Sequence, residues 1–436
     1  MAKISPFPAW RYAPERVPIS HVVTQPYDKI TPEMQERYLN SSPYNLVRII
    51  LGRRQPADGD GENVYTRAAA SFRDWRRTGV LRQDLEPSLY SYSQTFTVPG
   101  SEARAERRGF IGLGRLEEYS AGVVFRHERT LAKPKADRME LLRATRGHFG
   151  QIFMLYNGAG ETDALLHSAA APDIEVTDEH EVLHQVWKIS DPVVIAAAQA
   201  QMREQKLIIA DGHHRYETAL AYRNEQDRRA AAGGEASTLA EPYDSVMMTF
   251  VDMNRAGLVI LPTHRVVFGL PSFSPEQLQA GARQFFNVEE VDGEIDAARA
   301  GGILRTAGQV GTALLAVTAG RAFLMHSPKA IGTNLFAGLS LRQQSLDVVQ
   351  LHKCLLEGVL KISEEAIRNQ QNVSYHRAAA EALAQVRSGN AQVAFLMNAV
   401  RMEQVRDIAF ASEVLPQKST DFYPKLLSGL TIYALD

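Results

Sequence analysis

The chain of 436 residues contains one cysteine, Cys354. No internal disulfide can form, and no cysteine-rich metal site can be built. Net charge is scarce as well. Lys and Arg number 48 against 50 Asp and Glu, a formal −2 at pH 7, so global electrostatics favour neither nucleic acid nor an anionic membrane. No apolar run approaches the length of a membrane span. Met1–Tyr12 carries prolines and aromatics where a secretory signal would carry an apolar core. The expectation is a cytoplasmic protein with no membrane partner and no direct nucleic-acid contact. The P-loop pattern, the protein-kinase lysine and catalytic-loop set and the G-x-S-x-G elbow are all missing. Gly109–Gly114 (GFIGLG) reads as a strand with glycines, not as a dinucleotide fingerprint. What remains is length enough for two or three domains with ample core.

The densest chemistry lies in Lys206–Leu220, KLIIADGHHRYETAL. Leu207, Ile208 and Ile209 form a short aliphatic run of the kind that makes a buried strand. From Arg215 onward Tyr216, Ala219 and Leu220 recur at helical spacing. Between them stands a tight turn, Asp211-Gly212-His213-His214-Arg215. Gly212 supplies backbone freedom, and the amides opening the helix favour an anion. His213, His214 and Arg215 add donors beside it, and Arg can grip a phosphate with two parallel bonds. Asp211 would repel bare phosphate but suits Mg²⁺ or a substrate hydroxyl. Adjacent histidines can also simply cap a helix. They diverge by about 100° on a helix, a poor arrangement for one zinc.

Three other stretches are rich in polar groups. Phe125–Phe149 holds His127 and Glu128 at a strand end, then Lys133, Lys135, Arg138, Arg143 and Arg146. Glu128 is the candidate general base, with His127 beside it, and the cations are candidates for neutralising phosphates. The alternative is a solvated basic helix face. His180-Glu181-Val182-Leu183-His184 matches H-E-x-x-H, so His180 and His184 are candidate zinc ligands of a metallohydrolase. The acidic, irregular residues before it and the Asp191-Pro192 break after it argue against that reading. Pro416–Lys425 (PQKSTDFYPK) offers Lys418, Ser419 and Thr420 for phosphate contact if the loop folds back over a site. Pro262-Thr263-His264-Arg265 is a weaker stretch of the same kind.

Capping and proline signals set out helices at Thr31-Pro32, Asp191-Pro192 and Ser274-Pro275, and Tyr65, Ala68, Ala69, Phe72 and Trp75 on one side set out a helix over Asn63–Thr78. A further helix is expected from about Lys135 to Arg146. Tyr44–Leu51 reads as a strand, as do Ser88–Val98, Arg108–Leu116, Gln151–Tyr156, Tyr243–Val251 and Leu258–Phe268. The last two are expected to pair through the Asp252–Gly257 turn. Ala230–Ala240 reads as a surface loop or lid. A boundary near Pro271 divides an α+β domain, 1–270, carrying the turn, from a smaller α/β region, 271–436. The fold class expected is α+β, with mixed sheets flanked by helices.

Six stretches together resemble a prokaryotic family known as domain of unknown function 1015, over nearly the full length. They are Gln25–Asp28 (QPYD), Arg126–Thr130 (RHERT), Asp137–Thr145 (DRMELLRAT), Ile209–Leu220 (IADGHHRYETAL), Leu261–Arg265 (LPTHR) and Pro416–Leu430 (PQKSTDFYPKLLSGL). HEVLH is not part of that set. The DGHHR turn is also similar to the phosphate-binding motif of the ParB/sulfiredoxin superfamily, which includes free-serine kinases. This second resemblance covers only a few residues and is an analogy between sites. It implies that Gly212, His213, His214 and Arg215 cradle nucleotide phosphates, with Asp211 near Mg²⁺ or the moving phosphoryl group. The activity implied is an ATP- or ADP-dependent phosphotransferase acting on a small hydroxyl-bearing metabolite, free L-serine first. Catalytic roles then fall to Glu128, Asp211, His127 and Lys418, and phosphate contacts extend to Arg143, Ser419 and Thr420. A non-catalytic nucleotide-binding regulator of ParB-like type is the competing expectation.

Overall fold

The computed structural model describes residues 1–128, 132–233, 240–330 and 334–436. Arg129 and Thr130 of the RHERT stretch, the Lys133 side chain and residues 234–239 of the alanine-glycine loop lie outside what is described. The chain divides into two compact units. The first is Met1–Arg126, Thr130–Leu258 and Pro424–Asp436; the second is His127–Arg129 and Val259–Tyr423. This differs from the boundary expected near Pro271. Within the second unit, Val259–Leu261 pairs antiparallel with Asp421–Tyr423, Val259 opposite Tyr423. Its entry and exit are thereby zipped together, and the chain then returns to the first unit for its last residues.

The first unit is built on a nine-stranded mixed sheet among the described residues. Its main path runs Val124–Phe125, Leu207–Asp211, Ile152–Tyr156, Ser245–Asp252, Arg104–Arg115, Leu89–Thr97, Leu183–Ile189 and Ile174–Thr177, with Ile4–Ser5 also paired to Arg104–Arg115. The glycines of GFIGLG explain themselves here. A Cβ on Gly109 would lie 2.3 Å from the Phe250 carbonyl oxygen, and one on Gly114 2.2 Å from the Met248 sulfur. Removing those side chains lets neighbouring strands and side chains close up. Phe110 stacks on Phe250 at 4.9 Å, in a core with Ile152, Met154, Leu207, Ile209 and Met248. A second apolar cluster joins Phe72, Trp75 and Leu141 to Ile432 and Ala434 of the returning chain.

Helix starts follow their caps. Thr31 accepts the Met34 N–H at 3.2 Å, and Asn63 and Thr66 form a reciprocal capping box. Asp191 and Ser274 each cap a helix with proline in its first turn. The stretch Tyr44–Leu51 departs from expectation: Val47–Ile50 is a short helix, not a strand. The Asn45 side chain accepts the Val47 N–H at 2.9 Å, and local capping of that kind competes with a sheet ladder. Nor do the strands flanking Asp252–Gly257 pair with each other. Ser245–Asp252 pairs within the large sheet and Val259–Leu261 with Asp421–Tyr423.

The second unit holds a six-stranded antiparallel sheet in the order Asn287–Val291, Ala322–His326, Ala313–Val317, Val393–Met397, His264–Val267, Val373–His376. Ala297–Gly308 and Ala379–Arg387 pack Ala300, Leu304, Leu383 and Val386 against Leu315, Ala394 and Leu396. Cys354 is buried in a π-helical segment, Leu351–Val359. No described helix is long and apolar enough to cross a membrane.

Candidate functional site

The strand Leu207–Asp211 is buried through Ala210 and delivers Asp211 to a corner. Gly212 turns that corner at φ +94°, a conformation costly for any side chain. The helix His213–Gly233 follows at once, and its ladder begins with Tyr216 N–H to Gly212 O at 2.9 Å. The positive end of the helix dipole therefore lies at this corner.

Asp211 is the centre of this corner. Its Oδ1 accepts the Gly212 N–H at 2.8 Å, and its Oδ2 lies 3.4 Å from Lys425 Nζ. Burial alone would raise its pKa, but Lys425, Arg215, Lys29 and His213 outweigh burial and hold the carboxyl well below its usual range. One acid thus sits in the field of two lysines and an arginine. His213 is nine-tenths buried beside it.

Arg215 reaches back across the corner. Its Nη1 donates to the Gln151 carbonyl at 2.5 Å. A Cβ on Gly212 would sit 3.1 Å from Nη2, and one on Gly150 3.1 Å from Nη1, so both glycines leave room for the guanidinium. Arg215 also lines a cavity of about 70 Å³ within the first unit. Four of the six family stretches meet on its walls: Pro26 and Tyr27; Arg138, Leu141 and Leu142; Arg215 and Thr218; and Ser428. The Arg138 guanidinium stacks 4.1 Å from the Tyr27 ring centroid. Thr218 is 4% exposed and its Oγ1 has no hydrogen-bond partner. Gly147–Gly150 complete the wall, with His148 held neutral by burial, its pKa pushed down to about 4.

Lys425 and Ser428 went unselected in the sequence. They lie in the Pro416–Leu430 stretch, where Lys418, Ser419 and Thr420 are the residues whose types suggest phosphate contact. The structure places those three in the second unit, engaged with one another's neighbours. His127 Nε2 is 2.7 Å from Thr420 Oγ1, the Glu128 carboxylate accepts the Lys418 N–H at 3.2 Å, and Ser419 Oγ donates to Pro416 O at 2.5 Å. Arg265, fully buried, donates to the Lys418 carbonyl at 3.0 Å. His127, Glu128, Lys418, Ser419 and Thr420 thus form one group, and Asp211 to Arg215 another. Arg143 joins neither. It is ion-paired on a helix face with Glu140 at 2.6 Å and Glu225 at 2.5 Å.

The zinc reading is overturned. His180–His184 is not helical: Glu181 sits at φ +57° and Leu183–Ile189 is a strand. His184 is completely buried, with Nδ1 2.7 Å from Tyr92 Oη and Nε2 3.2 Å from Asp178 Oδ2. Both ring nitrogens are committed. Among the described residues no group of three or more His, Cys, Asp or Glu side chains could hold a metal ion.

Fold and corner define a mixed α/β protein with a strand–glycine–helix turn at Asp211–Arg215. The chain belongs to the family described as "Protein of unknown function (DUF1015)", whose model matches residues 4–349. No curated protein matches it. Among solved structures it is similar to a free serine kinase in complex with AMP, 11% identical over 69% of this chain and 83% of that one, with a TM-score of 0.33. It is also similar to a conserved hypothetical protein from Pyrococcus furiosus, 12% identical over 70% and 91%, TM-score 0.33. A third is SbnI with C-terminal truncation from Staphylococcus aureus, 11% identical over 73% and 85%, TM-score 0.34. Likeness at this level carries no conclusion about ligand or reaction.

Proposed function

We propose that the first unit binds the phosphates of ATP or ADP at the Asp211–Arg215 turn and passes the terminal phosphoryl group to a small alcohol, free L-serine foremost. One observation supports this most: Lys425, Arg215 and Lys29 gather around an ionised Asp211 where a 21-residue helix begins. Cations at a helix N-terminus are the ordinary means of holding a phosphate. The adjoining cavity suits a compact acceptor, since guanidiniums of Arg138 and Arg215 and hydroxyls of Thr218 and Ser428 line it.

In the reaction the acceptor oxygen attacks the terminal phosphorus. The bond to the nucleotide's bridging oxygen breaks, and the hydroxyl proton leaves for a carboxylate. Transfer of this kind depends on positioning and on charge stabilisation. Asp211, held ionised, orients rather than keeps a proton. Mg²⁺ commonly binds through phosphates plus one or two carboxylates, and Asp211 is the residue that would hold it. Bound there, it would neutralise phosphate charge. Glu128 keeps the role of proton acceptor as a sequence-based proposal.

The test is direct. Pure protein is incubated with ATP or ADP, Mg²⁺ and L-serine, and O-phosphoserine is sought by mass spectrometry. Product formation that Arg215→Ala abolishes is expected. An Arg215→Ala protein as active as wild type overturns the assignment, and nucleotide binding without turnover on any acceptor favours the regulator.

A further inference from the structure

The HEVLH histidine that does not bind zinc has a place in a buried polar network of the first unit. Tyr92, Gln94, Arg107 and His184 are each no more than 2% exposed. Gln94 Nε2 donates to the Lys425 carbonyl at 2.8 Å, Arg107 Nη2 to the Pro424 carbonyl at 2.5 Å, and the Leu427 N–H points to Tyr92 Oη at 3.5 Å. Three backbone groups, at Pro424, Lys425 and Leu427, are thus held by side chains from neighbouring strands.

Behind them stands a second row. Arg107 Nε and Nη2 both donate to Gln94 Oε1, at 3.1 Å for Nε, which fixes the amide's orientation. Tyr92 Oη–H can donate to His184 Nδ1, and His184 Nε2–H to Asp178 Oδ2. Gln25 of QPYD donates to the same Asp178 oxygen at 2.8 Å. With Nε2 carrying the proton, each ring nitrogen of His184 has a partner. Buried polar groups are costly unless satisfied, and a network like this rigidifies what it touches.

What it touches is the backbone carrying Lys425, whose side chain is 10% exposed and ends 3.4 Å from Asp211. We propose that Lys425 grips the phosphate at the turn, and that Tyr92, Gln94, Arg107 and His184 are positioning residues acting through it. This rests on the turn being the phosphate site. Lysine loses much rotamer freedom when placed, so fixing its main chain in advance lowers the cost of binding.

The experiment measures ADP and adenosine affinity by calorimetry on the full chain, with thermal unfolding recorded in parallel. Lys425→Met is expected to weaken ADP at least ten-fold and leave adenosine unchanged, with Lys425→Arg recovering part of the loss. Tyr92→Phe and Gln94→Met should each weaken ADP several-fold. Combining either with Lys425→Met should add nothing further, because they act through the same amine. Effects that multiply, or Tyr92→Phe and Gln94→Met proteins less stable yet binding ADP normally, overturn the positioning role. A Lys425→Met protein with wild-type ADP affinity overturns the grip while leaving the phosphate reading intact. Wild type that fails to bind ADP removes both.

Discussion

The two units treat their polar stretches in opposite ways. In the first, Asp211 is outnumbered by the cations around it, and the corner adjoins a cavity with an unpartnered Thr218 hydroxyl. In the second, the motif side chains tie down their own loop: Glu128 to the Lys418 amide, His127 to Thr420, Ser419 to Pro416, Arg265 to the Lys418 carbonyl. On the proposed function, the same residue types, abundant in both, would serve ligand capture in one place, while in the other they brace their own loop. Residue type alone does not say which; the partners do.

The sharpest challenge to that contrast is Glu128→Gln. Its amide oxygen still accepts the Lys418 N–H, so the brace survives while the basicity is lost. Loss of a general base lowers kcat by about 10²–10⁴-fold, and that fall, with nucleotide KM little changed, is expected in steady-state kinetics. Wild-type kcat would leave Glu128 a brace only. Next comes Arg215→Ala, which removes a charge-assisted bond worth about 1.5–3 kcal/mol, so calorimetry should show ADP affinity lower by roughly ten- to a hundred-fold.

Acid sensitivity separates the units more gently. The folded pKa of Asp211 lies below its unfolded value, so its contribution to stability is present above the ordinary carboxylate pKa. It is lost as pH falls through the lowered value. Asp211→Asn should therefore narrow the drop in unfolding temperature between pH 7 and pH 3. An unchanged drop would show that the cations do not stabilise the folded carboxylate. The smallest effect belongs to Arg143→Ala. Its exposed pairs with Glu140 and Glu225 are worth about 0–1 kcal/mol, and neither turnover nor nucleotide affinity should move.

Much of this was legible before any coordinates. Thr31, Asp191 and Ser274 announce helices because a side-chain oxygen must meet the first amides, a local requirement. The Gly212 corner is equally local. HEVLH matched the zinc pattern because five residues fit a helical template, although Val182, His184 and Val186 alternate as a strand does, all three buried. Lys425 was out of reach for a different reason. Its partner Asp211 is far away in sequence, and long-range pairing such as Thr24 with Ser428, Trp10 with Ile432 and Tyr433 with His148 brings the late residues back.

That return has a consequence for synthesis. Residues 424–436 leave the ribosome after the whole inserted unit, so the first unit cannot seat Lys425 or Ser428 until translation has passed both. Chains terminated before residue 424 would carry the DGHHR corner but not the amine 3.4 Å from Asp211, so on the proposed function they would hold phosphate poorly.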